Sequence, residues 1–269
     1  MKFKLLLILC FCSVLASNTM ACAAEIPRYS PFWRPISTKQ TQVEVRRNAN
    51  DALRLYQLWW QARMNDSVWY YVVTLREVTQ KQPQNAPALA VYSLVLLDCR
   101  DYASSPNYKR AQADFGEDLQ IPGIRSIIDK AKKLDPKQWP VWLAESRIVP
   151  FESGQLNSIG KETEDFARRA VALNNNSFTN NELSYALLKR SVWDNDKGYI
   201  ERAIKVAKRA QSLAPTNPMP GVLLVEIYSN YSKDADARKN AAQTVLATIP
   251  GNSKLSAGAK TFLKQKGIR

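Results

Sequence analysis

Apolar residues recur at helical spacing along most of this chain, and residues 197–232 show the pattern most clearly. This spacing predicts a helix that buries one face. The apolar positions of that face are Ala203, Val206, Ala207, Ala210 and Leu213. Pro215 ends the helix, and Pro218 lies near the start of a second one, where the missing N–H of proline costs least. The residues that we expect the second helix to bury are Val222, Leu224, Val225 and Tyr228.

The same arrangement returns along the chain when the positions that end helices are taken as reference points. These stop positions are Pro83, Pro136, Asn175, Pro215 and Pro250. The residues five and eight positions before them are Val78, Ala131, Ala170, Ala210, Val245, Leu75, Ile128, Ala167, Ala207 and Ala242. The residues thirteen positions after them are Leu96, Val149, Leu188, Tyr228 and Leu263. All are apolar, which predicts an all-α chain of repeated antiparallel helix pairs.

This repeat resembles the tetratricopeptide repeat (TPR), a helix pair with a small residue before a terminal proline and a period of about 34 residues. Trp142 falls where the family has its tryptophan, whereas Gly221 replaces that residue in the last pair. The resemblance is strongest from Ile121 to Lys264. It implies a right-handed superhelical array of about four to five degenerate helix pairs, a fold that usually provides a binding surface. A helical bundle with evenly spaced turns is the alternative architecture.

Residues 1–24 have the three segments of a secretory signal peptide in the required order. A basic start at Lys2 and Lys4 precedes an apolar run, and small polar residues lead to a mature N-terminus near residue 24 or 25. We therefore expect an exported protein, periplasmic or secreted. A lipoprotein leader, cut before Cys22 so that this cysteine anchors the chain to the outer membrane, is the alternative. No later apolar stretch reaches about 18 residues, so we expect no transmembrane segment after the leader.

The rest of the chain is predicted to fall into three parts. Residues 25–38 form an arm rich in proline and aromatic side chains, which prevents a regular helix there. Residues 39–120 hold the N-terminal helices and an irregular insertion at 100–120. Residues 121–269 hold the TPR-like repeats.

Within these parts, three local patterns give further expectations. Apolar spacing predicts one long first helix over residues 39–63. The nearly continuous apolar run from Ala86 to Cys99 is long enough to predict a buried helix rather than a strand. A short irregular stretch is expected from Pro150 to Asn157.

Histidine is absent from the chain, which removes the commonest general base and the commonest metal ligand. No glycine-rich phosphate loop, nucleophile elbow or HExxH motif occurs. Three of the four cysteines lie in the leader, and Cys99 is the fourth, so we expect no internal disulfide framework. We therefore predict a protein that is not an enzyme and has no cofactor or metal site.

Paired carboxylates leave an enzyme as an alternative, because glycoside cleavage needs only two acids at a set distance. The acids that lie close in sequence are Glu162, Glu164 and Asp165, and Glu117 with Asp118. We interpret the first group as acids at a helix start, where they offset the helix dipole. A cell-wall glycan hydrolase would place such acids in a pocket beside aromatic rings. The rings available for it are Trp59, Trp69 and Trp142, although aromatic residues at helical spacing usually belong to a core.

The charge balance is strongly basic, with 38 lysine and arginine residues against 24 acids, a net charge of +14. Removing Lys2 and Lys4 with the leader leaves 14 − 2 = +12. The clusters are Lys130, Lys132, Lys133 and Lys137; Arg202, Lys205, Lys208 and Arg209; and Lys260, Lys264, Lys266 and Arg269. Basic clusters favour acidic partners, here an acidic protein segment, anionic envelope lipid or lipopolysaccharide. No recognition motif supports nucleic acid, and a solvated face is the alternative to any partner.

In TPR arrays the first helix of each pair lines the concave face, and the resemblance assigns residues eleven and fourteen positions after each stop to it. These are Leu94, Arg147, Ala186, Glu226, Thr261, Leu97, Pro150, Lys189, Ser229 and Lys264. The face is apolar at first, and from Arg147 onward it becomes polar with a basic bias. We expect Arg147, Lys189 and Lys264, with Tyr185 beside them, to contact an acidic or mixed segment of a partner.

The function predicted from these patterns is an exported scaffold that binds another protein in a bacterial envelope. Secretion, envelope assembly and immunity against a toxin are the processes it fits.

Overall fold

The computed structural model describes residues 37–64, 68–101, 110, 113–152, 156–232, 234–248 and 264. These residues form α-helices joined by turns, and no strand occurs among them. The helices are α1 (Thr38–Arg47), α2 (Ala52–Met64), α3 (Val68–Lys81), α4 (Ala86–Asp101), α5 (Ile121–Leu134), α6 (Trp139–Glu152), α7 (Leu156–Leu173), α8 (Ser177–Trp193), α9 (Gly198–Leu213), α10 (Pro218–Ile227) and α11 (Ala235–Thr248). A π-helical turn over Tyr228–Ser232 continues α10. The predicted leader, and the predicted arm up to residue 36, lie outside the described residues.

Consecutive helices pack as pairs within two compact units, which divide between Ala144 and Glu145 inside α6. In the first unit α2 packs against α3 and α4 packs against α5, and α2 also contacts α4. In the second unit α8 packs against α9 and α10 packs against α11, and α8 also contacts α10. In each unit, therefore, the first helices of neighbouring pairs touch. The described residues form an all-α, TPR-like array of helix pairs.

Burial confirms the predicted repeat register. All ten residues five and eight positions before a stop are 5 % exposed or less. The four described residues thirteen positions after a stop, Leu96, Val149, Leu188 and Tyr228, are 7 % exposed or less. The fifth, Leu263, lies outside the described residues. Six of the ten sites before the stops are alanines, whose small side chains let the helix backbones approach closely.

The N-termini of two first helices carry side-chain caps. Asn176 Oδ1 accepts hydrogen bonds from the backbone N–H groups of Phe178 and Thr179 at the start of α8. Asn217 Oδ1 accepts from the N–H of Met219 at the start of α10, where Pro218 occupies the first helical position as predicted. These bonds satisfy N–H groups that lack a partner within the helix.

The long first helix predicted over residues 39–63 is wrong, because residues 48–51 divide it into α1 and α2. Asn48 Nδ2 donates to the backbone oxygen of Glu44 over 2.7 Å, and Asp51 Oδ1 accepts from the backbone N–H of Arg54 over 2.9 Å. Asparagine and aspartate side chains compete with the backbone for its hydrogen bonds, so they end one helix and begin the next. The buried helix predicted from Ala86 is confirmed as α4.

Two further expectations were wrong. The irregular stretch predicted from Pro150 to Asn157 is wrong at both ends, because α6 continues through Pro150 to Glu152, and Leu156 and Asn157 belong to α7. The predicted stripe of α9 also ends too late: Leu213, its last member, is 44 % exposed. Leu213 is the final residue of α9, and the buried stripe ends one turn earlier, at Ala210.

The end of the predicted insertion is held against α3 and α4. Phe115 and Leu119 are buried, and Arg76 Nε lies 3.0 Å from Asp118 Oδ2. The hydroxyl of Tyr92 donates to the same carboxylate over 2.9 Å. Among the described residues, no helix combines the length and the apolar character that crossing a membrane requires.

Candidate partner-binding site

Helix α8 is buried along almost its whole length, because it contacts α7, α9 and α10. Positions that keep solvent exposure on one side follow a spacing of four, four and three residues. They are Asn181, Tyr185, Lys189 and Val192, and we call them the α8 stripe. Residues at this spacing form one line along a helix. Apart from Arg190, which lies on the opposite side, the described side chains of α8 therefore meet solvent along one narrow, chemically mixed line.

Two of the predicted contact residues lie side by side in the α8 stripe. The Lys189 ammonium lies 4.4 Å from the centre of the Tyr185 ring. A cation over an aromatic face is attracted to it, and the contact fixes the orientation of both side chains. Two residues predicted from the sequence therefore place an aromatic surface and a positive charge next to each other.

Asn181 is a member of the stripe that the sequence prediction missed. Its Oδ1 atom is buried and accepts no hydrogen bond among the described residues. A buried acceptor without a donor lowers stability by roughly 1–3 kcal/mol. The signal that could have found Asn181 is its position, one helical turn before Tyr185.

The third predicted residue, Arg147, lies on α6 and is already paired. Its Nε donates to Oε2 of Glu182 on α8 over 2.8 Å, and Glu182 is buried. The pair ties α6 to α8 next to Asn181 and offsets much of the Arg147 charge. Lys264, the fourth predicted residue, is exposed, and it lies outside the helices described above. The structure brings three of the four predicted residues to α6 and α8.

The apolar part of the predicted concave face is buried. Leu94 and Leu97 on α4 are both buried, as is Ala186 on α8. Glu226 on α10 is also buried, and its carboxylate accepts a hydrogen bond from Asn230. Of the nine described positions that counting from the stops assigned to this face, four are therefore buried and cannot contact a partner. The solvent-exposed part of the face on α8 is the α8 stripe.

Two of the acids considered for catalysis, Glu164 and Asp118, are held by arginines. Glu164 is buried, and its two oxygens lie 2.6 Å from Arg168 and 2.6 Å from Arg190. The Arg190 guanidinium donates hydrogen bonds to the carboxylates of Asp194 and Glu164, and these bonds raise its pKa. Since α7 begins at Leu156, our interpretation of the Glu162 group as acids at a helix start is wrong.

The tryptophans considered for a sugar pocket are mostly internal. Trp59 and Trp142 are buried; Trp59 Nε1 donates to Asp98 over 2.7 Å, and Trp142 Nε1 donates to the backbone oxygen of Pro136 over 2.8 Å. Trp69 stacks on Phe115 with ring centres 5.2 Å apart. Among the described residues, no group of three or more cysteine and acidic side chains is arranged to hold a metal ion.

Comparisons with known proteins return similar folds at low identity. No protein-family model matches the chain. No curated protein sequence matches it either. The chain is similar to a crystal structure of a thermophilic TPR protein from Thermus thermophilus, with 16% identity, a TM-score of 0.44, and 78% of this chain and 89% of that one covered.

It is also similar to YrrB, described as a TPR protein with an unusual peptide-binding site. The identity there is 11% and the TM-score 0.41, with 84% of this chain and 100% of that one covered. At TM-scores below 0.5 these likenesses carry no information on what this chain binds.

Proposed function

We propose that this protein is an exported scaffold that binds an extended, acidic segment of another protein along the α8 stripe. The observation that carries the proposal is the exposure pattern of α8. A helix with neighbours on several sides keeps one line of polar, aromatic, basic and apolar side chains in contact with solvent. Such a line has the composition of a small recognition surface rather than of a core.

Each member of the stripe offers a different contact to an extended chain. The ring of Tyr185 provides a rigid flat surface, and the ammonium of Lys189 attracts a carboxylate. Asn181 adds a partly exposed polar side chain at the start of the line. Val192, which is 54 % exposed, adds an apolar contact at the end of the line.

Export is the second part of the proposal and rests on the leader. The basic, apolar and small-residue segments of residues 1–24 support secretion, and the net charge of +12 after its removal would speed association with an acidic partner. N-terminal sequencing of the mature protein tests this part: a start near residue 24 or 25 supports it, and Met1 contradicts it. Diacylated Cys22 would instead show membrane anchoring.

The binding proposal is tested by recovering partners from envelope extract with wild-type protein and two variants. One variant changes the stripe (Tyr185→Ala with Lys189→Glu), and the control reverses three exposed cations of α9 (Lys205→Glu, Lys208→Glu and Arg209→Glu). Arg147 stays unchanged, because a glutamate there would face Glu182 and unsettle the fold. We expect the stripe variant alone to lose the partner. Loss of the partner with the control variant as well would mean that the positive charge of the protein, rather than the α8 stripe, recruits the partner.

No observation in the described residues favours the glycan hydrolase, since Glu164 and Asp118 are both engaged by arginines. Secretion, envelope assembly and immunity against a toxin all remain compatible with the proposed scaffold, because each requires only a protein partner.

A further inference from the structure

The outer face of α9 carries a group of basic side chains opposite its buried side. Lys205, Lys208 and Arg209 are exposed, whereas Ala203 and Ala207 face the core. The three cations lie within five residues, so they occupy roughly 6 Å of helix axis. We call them the α9 cations.

The α9 cations are not used to hold the fold together. None of them forms an ion pair among the described residues, while Arg147, Arg168 and Arg190 in the same unit all do. Glu201 is the one acidic residue in the sequence of α9. The face therefore keeps a net positive charge, and its cations are available to a ligand.

An exposed apolar residue adjoins these charges. Leu213 lies one turn after Arg209, on the same side of α9, and is 44 % exposed. Cations beside an exposed apolar side chain can contact a membrane surface together, the cations meeting anionic headgroups and the leucine the boundary of the acyl chains.

We propose that the outer face of α9 binds the anionic phospholipid surface of an envelope membrane. Two of the three cations are lysines, compact point charges that suit a diffuse field of headgroups better than a bidentate site. Each lysine or arginine near an anionic surface strengthens binding about fivefold. This contact uses a different helix from the α8 stripe, so it neither requires nor prevents binding of a protein partner there.

Vesicle sedimentation tests the proposal with the mature chain. Wild-type protein is mixed with phosphatidylcholine vesicles with and without phosphatidylglycerol, beside three variants. The first reverses the α9 cations to glutamate. The second makes the same change of net charge at exposed lysines on three other helices (Lys39→Glu, Lys81→Glu and Lys239→Glu). The third is Leu213→Ser, which alters no charge.

We expect wild-type protein to bind phosphatidylglycerol vesicles and the first variant to bind at least about a hundredfold more weakly. The scattered variant should retain most of the binding, Leu213→Ser should weaken it severalfold, and circular dichroism should show all variants folded. Binding that does not depend on phosphatidylglycerol, or equal losses in the two charge variants, would overturn the proposal. The proposal would also be overturned if Leu213→Ser bound vesicles as tightly as wild-type protein does and bound polyglutamate equally tightly. The ligand would then be an acidic protein chain.

Discussion

Asn217 Nδ2 donates a hydrogen bond to Ser177 Oγ over 3.0 Å, and the two residues occupy the same place in successive repeats. Each lies two positions after a stop, Asn175 or Pro215, and both are buried. The turn of one helix pair thus bonds directly to the turn of the next. Asn217 also caps α10 through its Oδ1 atom, so one side chain begins a helix and joins two repeats.

Replacing Asn217 with alanine should lower the free energy of unfolding by about 1–3 kcal/mol, since it removes a cap and leaves Ser177 without this donor. Ser177→Ala should cost less, because the cap of α10 remains. Chemical denaturation of both variants measures the difference. If Asn217→Ala costs no more than Ser177→Ala, the cap contributes nothing.

The repeat register is tested at two adjacent residues of α9. Ala207 is fully buried and Lys208 is exposed. Ala207→Asp buries a carboxylate without a partner and should cost several kcal/mol, on the order of the stability of a domain. Lys208→Asp should cost about 0.5 kcal/mol or less. Thermal unfolding compares them, and equal melting temperatures would contradict the register.

Glu164 should matter for stability rather than for chemistry. Glu164→Gln removes the charge between Arg168 and Arg190 and should lower the free energy of unfolding by roughly 1–3 kcal/mol, a value reduced because both arginines are partly exposed. Glu162→Gln, at an exposed site, should be neutral. A Glu164→Gln variant that kept its stability but lost sugar release from cell-wall glycan would instead support the hydrolase.

Two glycines should respond to alanine in opposite directions. A Cβ atom on Gly221 would lie 2.7 Å from Val245 Cγ2, so Gly221→Ala forces α10 and α11 apart and should lower the melting temperature. A Cβ atom on Gly160 meets its nearest neighbour, an atom of Arg190, at 3.7 Å. Gly160→Ala should therefore stabilise α7 by about 0.5–1 kcal/mol. Equal shifts from the two substitutions would show that α10 and α11 are less tightly packed than described.

The sequence was sufficient to predict the helix pairs and their register, because buried residues recur at fixed distances from each stop position. Ala131, Ala170 and Ala210 share one position and one environment, so spacing alone identifies them. The break at Asn48 and the continuation of α6 through Pro150 were not predictable in this way. Both depend on local competition between capping side chains, helix propensity and packing against neighbours such as buried Ile148.

The candidate site was predictable in part, for a similar reason. Tyr185 and Lys189 could be predicted because they lie at the expected positions on α8, the first helix of its pair. The burial of Leu94 and the pairing of Arg147 with Glu182 depend on what the neighbouring helices bring to the same place. Those neighbours are distant in sequence, so counting from a stop cannot show which positions they cover.

Site-specific photo-crosslinking in living cells tests most directly whether the α8 stripe contacts a protein partner. A photoreactive benzoylphenylalanine is placed at Tyr185 in one variant and at Lys208, on the outer face of α9, in another. The proposed function predicts one dominant protein adduct from position 185 and none from position 208. An adduct of equal yield from both positions, or from position 208 alone, would contradict it.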